Sequence, residues 1–574
     1  MKIIPLKYIG IIIIQILFCT TALAQGGWQW MQTNGDGASP DESIKSLFVD
    51  QWKNIYVTGH ISDLFVRDSA GNIQYDSNFL PILYNYGNRD IWVAKYDFNG
   101  NNKWNEYAGS GSQDGIASAT VDQSGNTYLI GSLSENFSRP AHTFNGKPIG
   151  NDSIRLFLSK LDSAGNEMYH VLFGFDSLSQ FLVSAGGGDL LLDQINNLLH
   201  YIFYSGRNQI LFNQDTLPVA YHDAIFDLNG NYLRSKRLAV ADSQLLGSGT
   251  FDMDAQGNYY FVGQHNPDSI FLLNDTIVKN PQVQIGGLII AFDTAGQYKW
   301  SFKTENTADI MYNGMAIGDT IIVASDITSL NVDTVRYGQL AYKTGVNTFS
   351  EGVLLQLDAN SGQVIGLQHS GGDFYTGTIA NYTVKANKDF MAIGGKFSNK
   401  MTYSGTTDYM ESVNKTQNTN SDLYFALFDR QGNYICEDLL YTLNSFAGIT
   451  HMEFIDSSII VAGFFNDTIF INNDTLIASG KNDVFVGRYD LPCAKQLTVG
   501  IKNNFIKAEN GVLLYPNPVE NTTNLVGKPV NNTAQLIDIS GKVVQTFQLN
   551  QQLLQQQLVL NDHPAGIYFL TIVG

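Results

Sequence analysis

The chain is poor in the residues that would declare a chemistry. It has three cysteines in 574 residues, too few for a disulfide scaffold or a thiol-rich metal site. Its nine histidines are scattered singly, and none shows the one-turn spacing around a glutamate that a zinc hydrolase requires. His60, His222 and His451 fall near strands or turns, where packing or solvent contact accounts for them. No serine sits in a Gly-x-Ser-x-Gly elbow. Lys and Arg number 34 against 53 Asp and Glu, and they form no cluster. Nucleic acid is therefore excluded as a partner, because phosphate binding rests on grouped cations. Past the N-terminal leader, no apolar run is long enough to span a bilayer.

The leader carries Lys2 and Lys7, then an apolar stretch from Tyr8 to Phe18, then Ala22-Leu23-Ala24 before Gln25. That is the order of a cleavable secretory signal, so residues 1–24 are expected to direct export and be removed. Leu17 and Phe18 precede Cys19, where a lipoprotein would need a small residue. Cleavage takes the net charge from −19 to −21, a dilute acidic excess that keeps an extracellular domain soluble. Only Cys436 and Cys493 remain, either as one disulfide or as two thiols.

What is abundant is β-forming: 54 Gly, 34 Phe and 29 Tyr, with few stretches of helical period. The chain also repeats itself. A short apolar strand ending in Asp recurs, with the aspartates at Asp97, Asp162, Asp227, Asp293, Asp358, Asp429 and Asp490, spaced 65, 65, 66, 65, 71 and 61 residues apart. Most are followed three residues later by Gly and then Asn or Gln, as in Gly100-Asn101 and Gly296-Gln297. This is hairpin chemistry, in which Asp bonds the turn backbone and Gly supplies positive φ. A second hairpin signal follows in each module, as in Asp122-Gln-Ser-Gly125-Asn126-Thr-Tyr128. Each module thus holds about four short strands, the content of one propeller blade.

Seven strand-plus-Asp halves and seven later halves are present. The first later half, from Trp28-Gln-Trp30 to Gly59, has no partner before it, and the strand ending at Tyr489-Asp490 has none after it. Pairing the two orphans closes a ring and removes an exposed sheet edge. Residues 26–493 are therefore expected to form an all-β, seven-bladed β-propeller closed by its N- and C-terminal strands. The modules resemble propeller repeats of bacterial surface and secreted proteins, with an aromatic-Asp-x-x-Gly-Asn turn, a following Trp, and a later Gly-Asn-x-Tyr-x-x-Gly. Insertions such as Phe464 to Leu476 and Phe271 to Ile277 are expected to be extra hairpins or long loops on one face, and these loops and the channel entrance are where a ligand would be met, since rigid blades position variable loops.

From Gly511 the period stops. Residues 494–510 read as a linker, and residues 511–574 as alternating strands long enough for one small β-sandwich. That segment contains Tyr515-Pro516-Asn517-Pro518, an Asp-x-x-Gly541-Lys542 turn, and an exit strand with Gly566 and Tyr568. It resembles the type A C-terminal sorting domain of type IX secretion cargo, which carries these features in this order. The resemblance implies export, passage through outer-membrane secretion machinery as a partner, and release or attachment at the cell surface. Related tags often run on to basic residues, whereas this sequence stops at Val573-Gly574.

No catalytic constellation is visible. The runs from Asp97 to Trp104 and from Asp293 to Trp300 resemble the Asp boxes of sialidases and the tryptophan-docking motifs of quinoproteins. However, neither has a Ser or Thr two residues before the Asp, and no adjacent Cys pair occurs, so Trp104 and Trp300 read as packing between blades. No cofactor is expected. Calcium is the one ion the Asp-Asn-Gly turns could take, although they lack the EF-hand alternation and a plain hairpin accounts for them. The expectation is a monomeric extracellular binding or scaffold protein whose ligand is a glycan or a protein. The alternative is a polysaccharide hydrolase or lyase using carboxylates at the channel mouth.

Overall fold

The computed structural model describes residues 27–491 and 513–573, apart from 35–41, 62–89, 111–113, 134–140, 150–154, 175–187, 206–210, 213–214, 219, 242–248, 266–268, 273–275, 279–285, 304–308, 329–333, 344–349, 371–378, 399, 404–409, 413–420, 444, 472–473 and 479–481 in the first span and 516–521, 527–530, 539–540, 552–554, 561–562 and 564–567 in the second. The leader, residues 494–510, and Pro516, Asn517, Pro518, Gly566 and Cys493 lie outside the described residues.

The described elements are all β-strands, and most belong to four-stranded antiparallel sheets of propeller type. The first sheet is Ser43–Val49, Ile55–Ile61, Asp90–Tyr96 and Asn102–Ala108 in that order. Five further sheets repeat this order, beginning at Gly115–Val121, Gly188–Asp193, Gly249–Met253, Asp309–Ile317 and Ile379–Ala386. They are called the second to sixth below. The sheet of Gly448–Ile455, Ser458–Phe465 and Asp483–Asp490 takes its fourth strand from the other end of the chain. Gly27–Asn34 pairs antiparallel with Asp483–Asp490, Trp28 opposite Tyr489 and Asn34 opposite Val484.

Middle strands are apolar on both faces, as strands covered on both sides must be. Ile55–Ile61, Asp90–Tyr96, Thr127–Leu133 and Gly286–Phe292 are buried at every position. Those side chains meet the next sheet in distinct clusters. Tyr128, Ile130 and Leu158 pack on Leu190, Leu199 and Tyr201. Tyr260, Val262 and Ile289 pack on Ile321, Val323 and Leu355. A further cluster joins Ile44, Val57 and Trp92 of the first sheet to Ile460, Ala462 and Val486, near the far end of the propeller region. Each fully buried side chain contributes about 1.5–3 kcal/mol, so these interfaces are the main source of stability.

The first strands of consecutive sheets also touch, from Ser43–Val49 against Gly115–Val121 through to Ile379–Ala386 against Gly448–Ile455. Gly448–Ile455 in turn lies against Ser43–Val49.

The repeat turns hold their shape through the aspartate. In Asp97–Asn101 one carboxylate oxygen accepts from the amides of Asn99 and Asn101, both at 2.9 Å, and the other accepts from the Asn101 side chain at 2.9 Å. Asp162, Asp227 and Asp429 bind the same three groups of their turns. Asp293 accepts two amides, from Ala295 and Gln297. The Asp358 turn is one residue longer, with Gly362 donating to the Asp358 carbonyl. Asp490 ends its strand, its carboxylate held by Ser458 at 2.6 Å and Arg488 at 3.0 Å.

Five of the turns also receive a donor from a neighbouring sheet. Trp30 Nε1 donates to the Phe98 carbonyl at 3.0 Å, and Trp104 Nε1 to Ser163 at 3.3 Å. Trp300 Nε1 donates to Ala359 at 3.1 Å. Lys236 reaches Thr294 at 2.9 Å and Gln356 reaches Arg430 at 3.1 Å. In every case the acceptor is the residue after the repeat aspartate. The tryptophan rings lie flat on the turn glycine. At Gly100, φ is 84° and an added Cβ would stand 2.6 Å from Trp30 Cδ2.

Two three-stranded sheets make the C-terminal unit: Leu513–Tyr515, Thr522–Val526 and Gln555–Val559 in one, and Val543–Gln548, Thr533–Asp538 and Tyr568–Val573 in the other. Leu525, Ala534, Leu549 and Leu558 form their shared core.

Gly100→Ala should therefore destabilise the mature protein by about 2 kcal/mol or more, from strained φ plus overpacking against Trp30. In a Trp30→Ala background only the backbone part, about 1 kcal/mol, should remain. Denaturation of the four members of this cycle measures the coupling, and simple additivity would refute the stacking account.

Candidate functional site

Antiparallel order assigns the connections to two faces. The hairpins after the first and third strands, including the repeat turns, share one face. The connections after the second strands and those between sheets share the other. The insertions emerge on this second face, where Ser269–Leu272 pairs with Thr276–Val278, Thr334–Tyr337 with Leu340–Lys343, and Thr468–Ile471 with Asp474–Ile477. Ser269–Leu272 also adds to the edge of Tyr232–Ala241 and covers the outer strand of the third sheet.

Where the second strands run out onto the insertion face, the fifth, sixth and seventh sheets bring together a cation, aromatic rings and a carboxylate. Lys396 is the penultimate residue of Phe390–Phe397, and its Nζ lies 3.9 Å from the Phe446 ring centre and 5.6 Å from that of Tyr382. Phe446 is 37% exposed and packs on Phe464, with ring centres 5.4 Å apart. The Phe446 backbone is pinned, its amide donating to Asn466 Oδ1 at 2.7 Å while the Asn466 amide donates to Ser445 Oγ at 3.0 Å. Burial lowers the Lys396 ammonium to about 8, opposed by the Asp326 carboxylate on the fifth sheet.

The first strands carry a second polar group inside their circuit. Lys385 Nζ lies 2.8 Å from Glu453 Oε2, and Asp252, from the fourth sheet, is within electrostatic reach of both. Asp189 accepts the Phe251 amide at 2.7 Å. Burial pushes its carboxyl up to about 7, helped by the nearby Asp252 charge. His451 donates through Nε2 to the Lys45 carbonyl at 3.1 Å, and burial pulls it down to about 4, so it is neutral at pH 7.

Other clusters are structural. His200, Asp223, Tyr259 and Lys236 form a linked set, with His200 Nδ1 2.9 Å from Asp223 Oδ2, the Tyr259 hydroxyl donating to the same oxygen at 2.9 Å, and Lys236 donating to the hydroxyl at 2.7 Å. Although it has the residue types of a proton relay, Asp223 is 0% and Tyr259 1% exposed, which leaves no room for substrate. A cavity of about 430 Å³ beside the outer strand of the second sheet is lined by Lys147, Glu167 and His170. Glu167 there accepts the Phe144 amide at 3.0 Å and anchors the strap at 141–149.

Among the sequence-predicted residues, His60 Nε2 accepts the Ile116 amide at 2.9 Å and His222 Nε2 donates to the Pro218 carbonyl at 2.7 Å. With His451 on Lys45, all three histidines singled out are tied to backbone. Cys436 is disulfide-bonded, and its partner lies outside the described residues. In the C-terminal unit, Asp538–Lys542 forms the same turn as the propeller repeats: the Asp538 carboxylate accepts the Lys542 amide at 3.1 Å and Gly541 has φ of 85°. Tyr515 lies in a strand, and the Tyr568 ring centre is 5.8 Å from that of His563. Among the described residues, no three His, Cys, Asp or Glu side chains are grouped to hold a metal.

Residues 513–574 match the family described as the secretion system C-terminal sorting domain. No curated protein matches the chain in sequence. Solved structures similar to it include the Dos1 propeller, at 10% identity and TM-score 0.35, covering 80% of this chain and 95% of that one. A protein of unknown function from Dyadobacter fermentans shares 8% identity at TM-score 0.34, over 82% and 100%. The NanB sialidase of Streptococcus pneumoniae shares 9% at TM-score 0.35, over 64% and 67%.

Asp189 yields a pH prediction. An acid whose folded pKa is raised keeps its stability below the ordinary carboxylate range and loses it as pH climbs through about 4 to about 7. The Asp189→Asn variant should gain in melting temperature over wild type as pH rises from 4 to 8, whereas a constant difference would contradict the assignment.

Proposed function

We infer that the sorting domain marks the chain as a secreted cargo of the type IX system and brings it into contact with that machinery. We propose that this cargo is a seven-bladed ring, closed by Gly27–Asn34, that acts outside the cell as a binding module. Export begins with cleavage after Ala24, and the delivered protein is a monomer, released or held at the outer surface. The closure is supported by the pairing of Gly27–Asn34 with Asp483–Asp490, by the apolar cluster between the first and seventh sheets, and by Arg488 Nη1 donating to the Phe98 carbonyl at 2.9 Å. In the sorting domain, Tyr515, Pro516, Asn517, Pro518, Gly541, Lys542, Gly566 and Tyr568 are the residues the machinery would read. The repeat-turn aspartates are structural and need no calcium, since their oxygens already accept several hydrogen bonds within the turn.

The observation that carries the binding reading is the insertion-face mouth. Lys396, Tyr382, Phe446 and Phe464 put a half-buried cation beside aromatic rings, of which Phe446 is exposed, a surface for recognition. The carboxylates of the ring interior are engaged instead, Glu453 with Lys385 and Asp189 with backbone. The enzymatic alternative keeps one observation in its favour: Asp189 and Asp252 are both raised by burial, as a general acid must be.

Two experiments test this. Mature protein offered a panel of polysaccharides should retain at least one without generating new reducing ends, and cleavage surviving purification would establish the enzyme instead. Deleting residues 513–574 in the producing bacterium should leave the protein inside the cell envelope, and undiminished surface or medium levels would refute the sorting role.

A further inference from the structure

The Lys396 ammonium is an expensive group to place where it is. It is half-buried, and among the described residues it makes no hydrogen bond or ion pair. Desolvating a cation costs free energy that only partners or ligands return. Its contacts are ring faces, those of Phe446 and Tyr382, a weaker return than a charge-assisted hydrogen bond gives. Three N–H donors on one side chain are thus held in a fixed place by stacking rather than by acceptors. They sit on the face where the insertions emerge, in a chain whose charge is otherwise strongly negative.

What complements this arrangement is an anion with an attached apolar surface. A singly charged anion suits it better than a dianion, because the Asp326 carboxylate, which opposes the fall in the Lys396 pKa, repels the more highly charged group more strongly. The exposed part of Phe446 offers area for the C–H face of a pyranose. We propose that Lys396, Tyr382 and Phe446 form a subsite for the carboxylate of an acidic sugar, so that the mouth takes a glycan containing uronic acid. This rests on the binding reading above and names its ligand class.

Lys396 supplies the charge-assisted hydrogen bond, Phe446 orients the sugar ring, Tyr382 helps hold the Lys396 ammonium in place, and Asn466 fixes the loop bearing Phe446. The probes are an oligogalacturonate and its methyl ester, which has the same shape and no charge. They are titrated by calorimetry into the mature full-length protein.

The acid form should bind about tenfold or more tighter than the ester, as a charge-assisted bond of about 1.5–3 kcal/mol implies. The Lys396→Met variant, which keeps the apolar stem against Phe446, should abolish that preference by weakening the acid form alone, with melting temperature checking its fold. If that variant does not fold, the wild-type protein decides. Its preference for the acid form should fade as pH rises past about 8, where Lys396 loses its proton, while ester binding stays flat. Equal affinity for acid and ester, or a preference that survives in Lys396→Met, overturns the subsite. Retention of other glycans or proteins but of neither probe overturns the uronate class and leaves the binding reading standing. Failure to retain any ligand overturns both.

Discussion

In five of the propeller sheets one backbone carbonyl, that of the residue after the repeat aspartate, is the point on which the sheet hangs from the one before. The turn must hold this carbonyl still and leave the glycine face bare. Asp does the first by accepting amides two and four residues on, and Gly does the second by lacking a side chain and adopting positive φ. A donor from the preceding sheet then lands on it: tryptophan from the outer strand at Phe98, Ser163 and Ala359, lysine at Thr294, glutamine at Arg430. Among the described residues no such hydrogen bond is made at the Asp227 turn, where Tyr169 packs on Gly230 instead.

Each of these bonds is worth only about 1 kcal/mol net, far less than the apolar clusters between sheets. Hydrophobic contact is not directional, however, and would tolerate sheets sliding past one another. The latch is directional, and it repeats with the same polarity, so each sheet that carries it is indexed to its neighbour. Trp30 and Arg488 apply the same rule across the chain termini, both reaching Phe98. Rigid indexing in turn lets residues as far apart in sequence as Asp326 and Phe464 meet at one mouth.

The turns were legible in the sequence because their chemistry is local: Asp, Gly and Asn within five residues report one hairpin. Trp104 and Trp300 were legible as packing because indole has few alternatives between sheets. Lys236 and Gln356 were not, since the same carbonyl accepts from any donor of adequate reach and the residue type carries no signature. The mouth was equally hidden. Tyr382, Lys396, Phe446 and Phe464 lie on two sheets and a connection, and nothing in their spacing announces that two rings flank one ammonium and a third packs behind. A half-buried lysine near a strand end beside two aromatics is the only trace, and many surface lysines share it. The Asp538–Lys542 turn was legible as a motif, but not as the same hydrogen-bonded device used throughout the propeller.

The ring and its latches stand or fall on the strand contributed by the N-terminus. Amide hydrogen exchange of the mature protein addresses it directly. The account predicts that residues 30–34 exchange as slowly as residues 483–488, to which they are paired, and as slowly as the middle strands of the other sheets. Rapid exchange at 30–34 beside a protected 483–488 would contradict it, leaving an open arc of sheets.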